Sequence, residues 1–337
     1  MCYTIQKPTV FQEGNSLRRI HNDQRLNARK RWRKKREEPH LDPLMRALKA
    51  LHSANMPDSM SPEELERQRK GQDILGRLAA NLSGLEWTEF DLSGMACAWA
   101  RPEKPHRRRH AILYCHGGGY TSGNLGYSRV LASKLADATG FDVLTFEYRL
   151  APEHPYPAAP EDALRAWDYL EQEGYAAQNV IAAGDSAGGN LALVLCGMLK
   201  AAQRPLPGAL VLMSPWTDMT MSGASYTERA ELDPMLTGEY IESVRSAYAN
   251  GADFSAPELS PLFADLAGYP PALIQVGANE ILYADAEQLA QRMQQAGCCC
   301  ELQCYGDMWH VFQMFPIPKA SAAIAAVPAF LLEYWKE

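Results

Sequence analysis

The chain has 337 residues, 47% hydrophobic and 22% charged, with a formal net charge of −7 and a pI near 5.7. Such a chain buries a large core, as one large domain or one with a smaller appended part. The acidic balance argues against a nucleic-acid binder; no apolar run is long enough to cross a bilayer, and no hydrophobic segment follows the first basic residues as a secretory signal would.

Residues 1–40 differ from the rest. Arg29 to Arg36 is cationic except for Trp32, and such a block repels itself and has little to bury. The expectation is a disordered extension, or translation begun upstream of a later start at Met45, Met56 or Met60, rather than a tail for RNA or an anionic membrane. Residues 41–84 predict two helical segments. In the first, Leu41, Leu44, Met45, Leu48 and Leu51 recur every three to four residues. The second opens on Ser61-Pro62-Glu63-Glu64, a capping serine, a first-position proline and two acids, and extends to about Leu78. Lying before the first strand, these helices suit a cap over a pocket.

From Leu85 the pattern changes to strands. Glu86–Leu92 and Met95–Trp99 flank Ser93-Gly94, a hairpin turn, and a basic connection leads to the apolar strand Ala111–Cys115. There follow a helix around Ser128–Ala138, strand Asp142–Phe146, the loop Tyr148–Pro157 and a helix from about Ala159 to Gln172. Strand Val180–Ala183, a helix to about Ala202 and strand Ala209–Met213 continue the rhythm. Short strands alternating with long helices imply a mostly parallel sheet with helices on both faces. Residues 217–268 break that rhythm, with a helix at Thr237–Tyr248, and suit a second contribution to the cap. Strand Pro271–Val276, helix Leu282–Ala296, strand Glu301–Tyr305 and helix Ser321–Trp335 complete a domain of residues 85–337.

The chemistry gathers at three places. Gly184-Asp185-Ser186-Ala187-Gly188-Gly189, between a strand and a helix, has the form of a nucleophile elbow, where small neighbours let strand and helix approach. A serine alcohol is a poor nucleophile at neutral pH; it needs a base, and the base needs an orienting group. His310, after the last strand, is the best placed of the eight histidines. For the acid, Glu280 after strand Pro271–Val276 is preferred, with Asp285 and Asp307 as rivals. His116-Gly117-Gly118-Gly119 closes a strand, and glycines there let backbone amides turn inward, where with the Ala187 amide they surround an oxyanion. No Gly-Lys-Ser/Thr follows either glycine stretch, which removes a phosphate-binding loop. The eight cysteines are scattered; adjacent Cys298, Cys299 and Cys300 converge poorly on one ion, so no metal is expected, and a reducing cytoplasm is the simpler inference.

His116–Tyr120, Tyr148–Pro155, Gly184–Asn190, Ser214-Pro215-Trp216 and His310-Val311-Phe312 together resemble the hormone-sensitive lipase family of α/β-hydrolases, the bacterial family IV esterases. The resemblance covers residues from about 85 to the end and leaves 1–40 unexplained. It implies the α/β-hydrolase fold, with Ser186 as nucleophile, His310 as base and Glu280 as acid. Gly118, Gly119 and the Ala187 amide would form the oxyanion hole, shaped by Gly117 and His116. Glutamate in place of the commoner aspartate points to a branch that includes hydrolases of alkyl esters and lactones. Arg149, Glu161 and Asp162 are expected to be structural ion-pair partners. The implied activity is cofactor-free hydrolysis of small to medium apolar esters or lactones, with deacetylation of a small amide or sugar as the runner-up. A non-catalytic small-ligand receptor is the remaining alternative, and it fits poorly because the histidine is present. The expected partner is the small-molecule substrate, without nucleic acid or a membrane span, and a homodimer is left open.

Overall fold

The computed structural model of the chain describes residues 61–79, 84–103 and 109–334. The basic stretch at 1–40 and the first of the two expected N-terminal helices lie outside these residues. The second is present as α1 (Pro62–Ala79), with Glu63 and Glu64 in its first turn and Arg77 in its last, each at the helix end whose partial charge it complements.

The hairpin forms from β1 (Leu85–Leu92) and β2 (Met95–Pro102), with Ser93 and Gly94 at positive φ in the turn. The core then alternates: β3 (Ala111–Cys115), α2 (Leu125–Thr139), β4 (Asp142–Phe146), α3 (Ala158–Gln172), β5 (Val180–Asp185), α4 (Ala187–Ala201) and β6 (Ala209–Met213). An excursion carries α5 (Ser225–Glu228) and α6 (Gly238–Ala249) before β7 (Ala272–Gly277), α7 (Tyr283–Gln295), β8 (Cys300–Tyr305) and α8 (Pro318–Tyr334).

The eight strands form one sheet in the order β1-β2-β4-β3-β5-β6-β7-β8. The pairings β1–β2 and β2–β4 are antiparallel, and every other pairing is parallel. The apolar content explains the burial. β3, β4, β5, β6 and β7 are buried at every position, as strands covered on both faces must be. Ile112, Tyr114, Ile181 and Ala183 meet Leu131 and Leu135 of α2 and Ile324 and Val327 of α8 on one face. On the other face Leu113 shares a core with Trp167 of α3 and Leu195 of α4, and Leu210 and Ile274 share one with Leu289 and Met293 of α7.

The register fixes where the chemistry can occur. Cys115 pairs with Gly184, Asp185 with Met213, Met213 with Gln275 and Gly277 with Tyr305. The carboxyl ends of β3, β5, β6, β7 and β8 therefore lie level along one edge, which is where open parallel sheets place their sites. The loops beginning at His116, Ser186, Ser214, Ala278 and Gly306 all leave from it.

Candidate active site

Ser186 is the single residue between β5 and α4. Its backbone lies at φ 53° and ψ −121°, a region non-glycine residues seldom occupy, at a cost of about 1–3 kcal/mol. The surroundings impose that geometry: its amide donates to Met213 O (3.0 Å), and its carbonyl accepts from Gly189 N (3.0 Å) and Trp216 N (3.1 Å). The flanking glycines are steric necessities, because a Cβ on Gly188 would meet Cys115 O at 2.0 Å and one on Gly184 would meet the Gly188 carbonyl carbon at 2.3 Å. The serine side chain thus stands at the start of α4, where the first amides have no acceptor within the helix.

Glu280 is fully buried and meets His310. Its Oε2 accepts from His310 Nδ1 at 2.7 Å, while Oε1 accepts from Ser214 Oγ (2.8 Å) and Gly277 N (2.6 Å). A carboxylate only accepts, so the imidazole carries its proton on Nδ1 and turns Nε2 outward as the acceptor. Burial opposes charge on the ring. The Glu280 bond and the charges of Glu280, Asp233 and Asp185 outweigh it and raise the His310 pKa above the ordinary 6.5.

His310 follows β8, three strands from β5, yet its loop reaches back across the sheet. Met308 O accepts from Asn279 N (2.9 Å) beyond β7, and Val311 N donates to Ser214 Oγ (3.1 Å) beyond β6. Ser214 directly follows Met213, whose carbonyl holds the Ser186 amide, so the two loops are tied through one residue. Val311 adopts φ 50° and ψ 41°, unusual for a β-branched residue, to make that return.

The rival carboxylates are engaged elsewhere. Asp285 Oδ2 accepts from the amides of Thr217 and Asp218, both at 2.9 Å, and burial holds its pKa well above the ordinary range. Asp307 is exposed and pairs with Lys319 at 3.5 Å.

The glycine segment turns as its sequence requires, with Gly118 at φ 115° and Gly119 at φ 62°. The amides of Gly118 and Gly119 make no hydrogen bond among the described residues. Gly117 differs from its neighbours, because its amide donates to Asp185 Oδ1 at 2.9 Å; it shapes the loop and offers no donor of its own. His116 is buried with its pKa pushed down to about 4 by burial, so it is neutral, and it stacks on Tyr148 at 4.1 Å. Tyr240 and Val244 of α6 come down over this loop, 3.2 Å from where a Cβ on Gly119 would stand.

Three residues here had no assigned part in the sequence. Asp185 accepts from the hydroxyls of Tyr114 and Tyr127 as well as from Gly117, joining the elbow to the glycine loop. Ser214 links Glu280 to the His310 loop, and its signal was its position directly after β6. Asp233 accepts from Ile281 N (2.8 Å), the amide after Glu280, and nothing in its sequence context marked it. Arg149 meets Asp162 (2.9 Å) and Glu161 (2.8 Å), the structural pairing expected of it.

An eight-stranded, mostly parallel sheet with a serine elbow after β5 and a histidine loop after β8 defines an α/β-hydrolase, and the family model of the alpha/beta hydrolase fold matches residues 112–314. An acetyl-hydrolase of Streptomyces hygroscopicus is 37% identical over 270 residues, 80% of this chain and 90% of that protein. An esterase of Acinetobacter venetianus is 36% identical over 222 residues, 65% of this chain and 73% of that one. The crystal structure of an esterase from the bacterial hormone-sensitive lipase family superposes with a TM-score of 0.81 at 34% identity, covering 88% of this chain and 99% of that one. The chain belongs to the hormone-sensitive lipase family of α/β-hydrolases and is a carboxylic ester hydrolase.

Proposed function

We propose that Ser186 is the nucleophile, His310 the general base and Glu280 the acid that orients it, in the hydrolysis of small to medium apolar carboxylic esters, lactones among them. The observation that carries this reading is the bond from His310 Nδ1 to Glu280 Oε2, on the same sheet edge as a serine held at positive φ. His310 Nε2 removes the proton from Ser186 Oγ as that oxygen attacks the ester carbonyl. The amides of Gly118, Gly119 and Ala187 hold the oxyanion, each contributing about 3 kcal/mol to the rate. His310 returns the proton to the departing alcohol and leaves an acyl-enzyme. Water, deprotonated by the same nitrogen, then releases the acid and frees the serine. No cofactor takes part in these steps.

The cap in this reading consists of α1 and residues 217–268. The closeness of Tyr240 and Val244 to Gly119 favours a short acyl group over a long one. The name of the Streptomyces relative supports deacetylation of a small acetylated compound as a second reading, using the same residues. A cytoplasmic location belongs to the proposal and is supported by the buried free thiols of Cys97, Cys115 and Cys196. A homodimer has one feature in its favour, the outer edge of β8, which carries no partner strand among the described residues.

The test is a panel of p-nitrophenyl esters of graded chain length, several lactones and an acetylated amide, assayed on the wild-type chain and on Ser186→Ala. We expect turnover that peaks at short chains and disappears in the variant while its thermal midpoint stays within a few degrees. Turnover retained by the variant would remove Ser186 from the reaction.

A further inference from the structure

The segment Tyr148–Pro155 takes no part in the chemistry above, and α1 has so far been only a cover. Their contacts converge on the glycine loop. The Arg69 guanidinium of α1 donates from Nε to Thr121 O (2.9 Å) and from Nη2 to Ala151 O (3.1 Å). Its two terminal nitrogens also grip Glu153 as a fork, at 2.9 Å to each carboxylate oxygen. We infer that Arg69 is a positioning residue for the oxyanion loop, joining α1 to residues 117–124 and 148–153 so that the Gly118 and Gly119 amides stay aimed at the reacting carbonyl. The inference rests on the functional reading above.

Both α1 and residues 148–153 are otherwise bound to the same loop. The Thr121 and Ser122 amides both donate to Gly118 O (3.1 and 3.0 Å), so the Thr121 carbonyl that Arg69 holds belongs to the turn beginning at Gly118. Gln72, one helical turn after Arg69, donates to Ser122 Oγ (3.3 Å) and accepts from Gly123 N (2.9 Å). Asn124 returns a bond to Arg69 O at 2.8 Å. From the other side Ala151 N donates to Tyr120 O (2.9 Å) and Tyr148 OH donates to His116 O (2.8 Å). The helix cannot drift away easily, because Gly76 and Gly126 pack so closely that a Cβ on Gly76 would meet Gly126 O at 2.0 Å.

The charge pair is not what gives Arg69 its weight. Its side chain is 23% exposed and that of Glu153 46%, and such a pair contributes little to stability. What the fork does is fix the plane of the guanidinium so that the remaining N–H groups reach two carbonyls of separate segments. A lysine keeps the charge and loses that geometry. The donors of an oxyanion hole act only when correctly placed, and a displacement of about 1 Å costs roughly a hundredfold in rate.

Arg69→Lys, Arg69→Ala and Gln72→Ala are made in the full chain. Each is measured for kcat and KM on a short p-nitrophenyl ester, for inhibition by a trifluoromethyl ketone, and for active sites titrated by diethyl p-nitrophenyl phosphate. We expect Arg69→Ala to lower kcat per titrated site about tenfold to a hundredfold. KM should stay within about twofold and affinity for the ketone, whose adduct needs the oxyanion hole, should fall in step with kcat. Arg69→Lys should lose a smaller part of the same kcat, which keeps the proposal testable if the alanine variant folds poorly. Unchanged kcat and ketone affinity in Arg69→Lys and Gln72→Ala, or a loss of rate accounted for by fewer titrated sites, overturns the role of Arg69 and leaves the esterase reading standing. A wild-type chain that neither turns over the ester nor takes up the phosphate overturns both.

Discussion

His310 is pulled in two directions. Burial disfavours its charged form, while the Glu280 bond and nearby carboxylates favour it more, so its pKa lies above 6.5. As a base it works only when neutral, so kcat/KM should rise with pH through a value above 6.5. The stability contribution has the opposite sign. A raised folded-state pKa stabilises fully below the unfolded value, and that contribution is lost as pH rises through the folded one. Glu280→Gln removes the largest effects that raise the pKa and leaves Nδ1 without its acceptor. Ser214 Oγ and Gly277 N both donate to Oε1, so the amide oxygen of the variant takes that place and its NH2 faces Nδ1. This should move the acidic limb to lower pH and cut kcat by roughly three to four orders of magnitude. Asp285→Asn should leave the limb in place, since that carboxylate bonds to Thr217, Asp218 and Tyr226 rather than to His310 among the described residues. Full pH–rate profiles of both variants decide it: a limb that moves in Asp285→Asn and stays in Glu280→Gln would transfer the acid's role.

At the scale of elements, the sequence was most legible where one short-range rule governs. The elbow is such a place, because the glycines needed by strand, turn and helix stand within six residues. Strand positions were also plain, since buried parallel strands are short apolar runs. Helix starts were less so. The helix expected from Ser128 begins at Leu125, because Asn124 caps it by accepting from Tyr127 N at 2.9 Å, and the one expected from Ser321 begins at Pro318. Asn124 also reaches Arg69 O, a contact between residues 55 apart that no local pattern reveals. Asn124→Ala should therefore cost about 1 kcal/mol for the cap alone. Asn124→Asp keeps the acceptor and loses only the bond to α1, so its thermal midpoint should fall between wild type and alanine; an aspartate variant no better than alanine would put the stability in the interhelix bond.

Across the whole molecule, the excursion after β6 and the acid loop after β7 hold each other through buried carboxylates, and this is what the sequence concealed most. Asp233 is unmarked in sequence and Asp285 reads there as a rival acid; only the fold shows that Asp233 accepts from the amides of Ile281, Met235 and Leu236 while Asp285 grips the chain leaving β6. Placing Asp233 in the interior has a consequence for stability. Burial raises its pKa from 3.8 to about 6, against the pull of His310 and its three amides. A carboxyl whose folded pKa is raised favours folding while protonated, and that contribution declines as pH rises from the unfolded to the folded value. A displacement of that size corresponds to roughly 2–3 kcal/mol, confined to the interval between about pH 4 and pH 7. Asp233→Asn abolishes the titration and weakens the Ile281 bond, because an amide nitrogen facing an amide nitrogen cannot accept. The variant should be the less stable protein near pH 4.5 and should close the gap, or reverse it, by pH 7.5. Urea unfolding midpoints of the two proteins at both pH values measure this directly; a gap that stays constant or widens with pH would mean that Asp233 is ionised in the folded protein throughout.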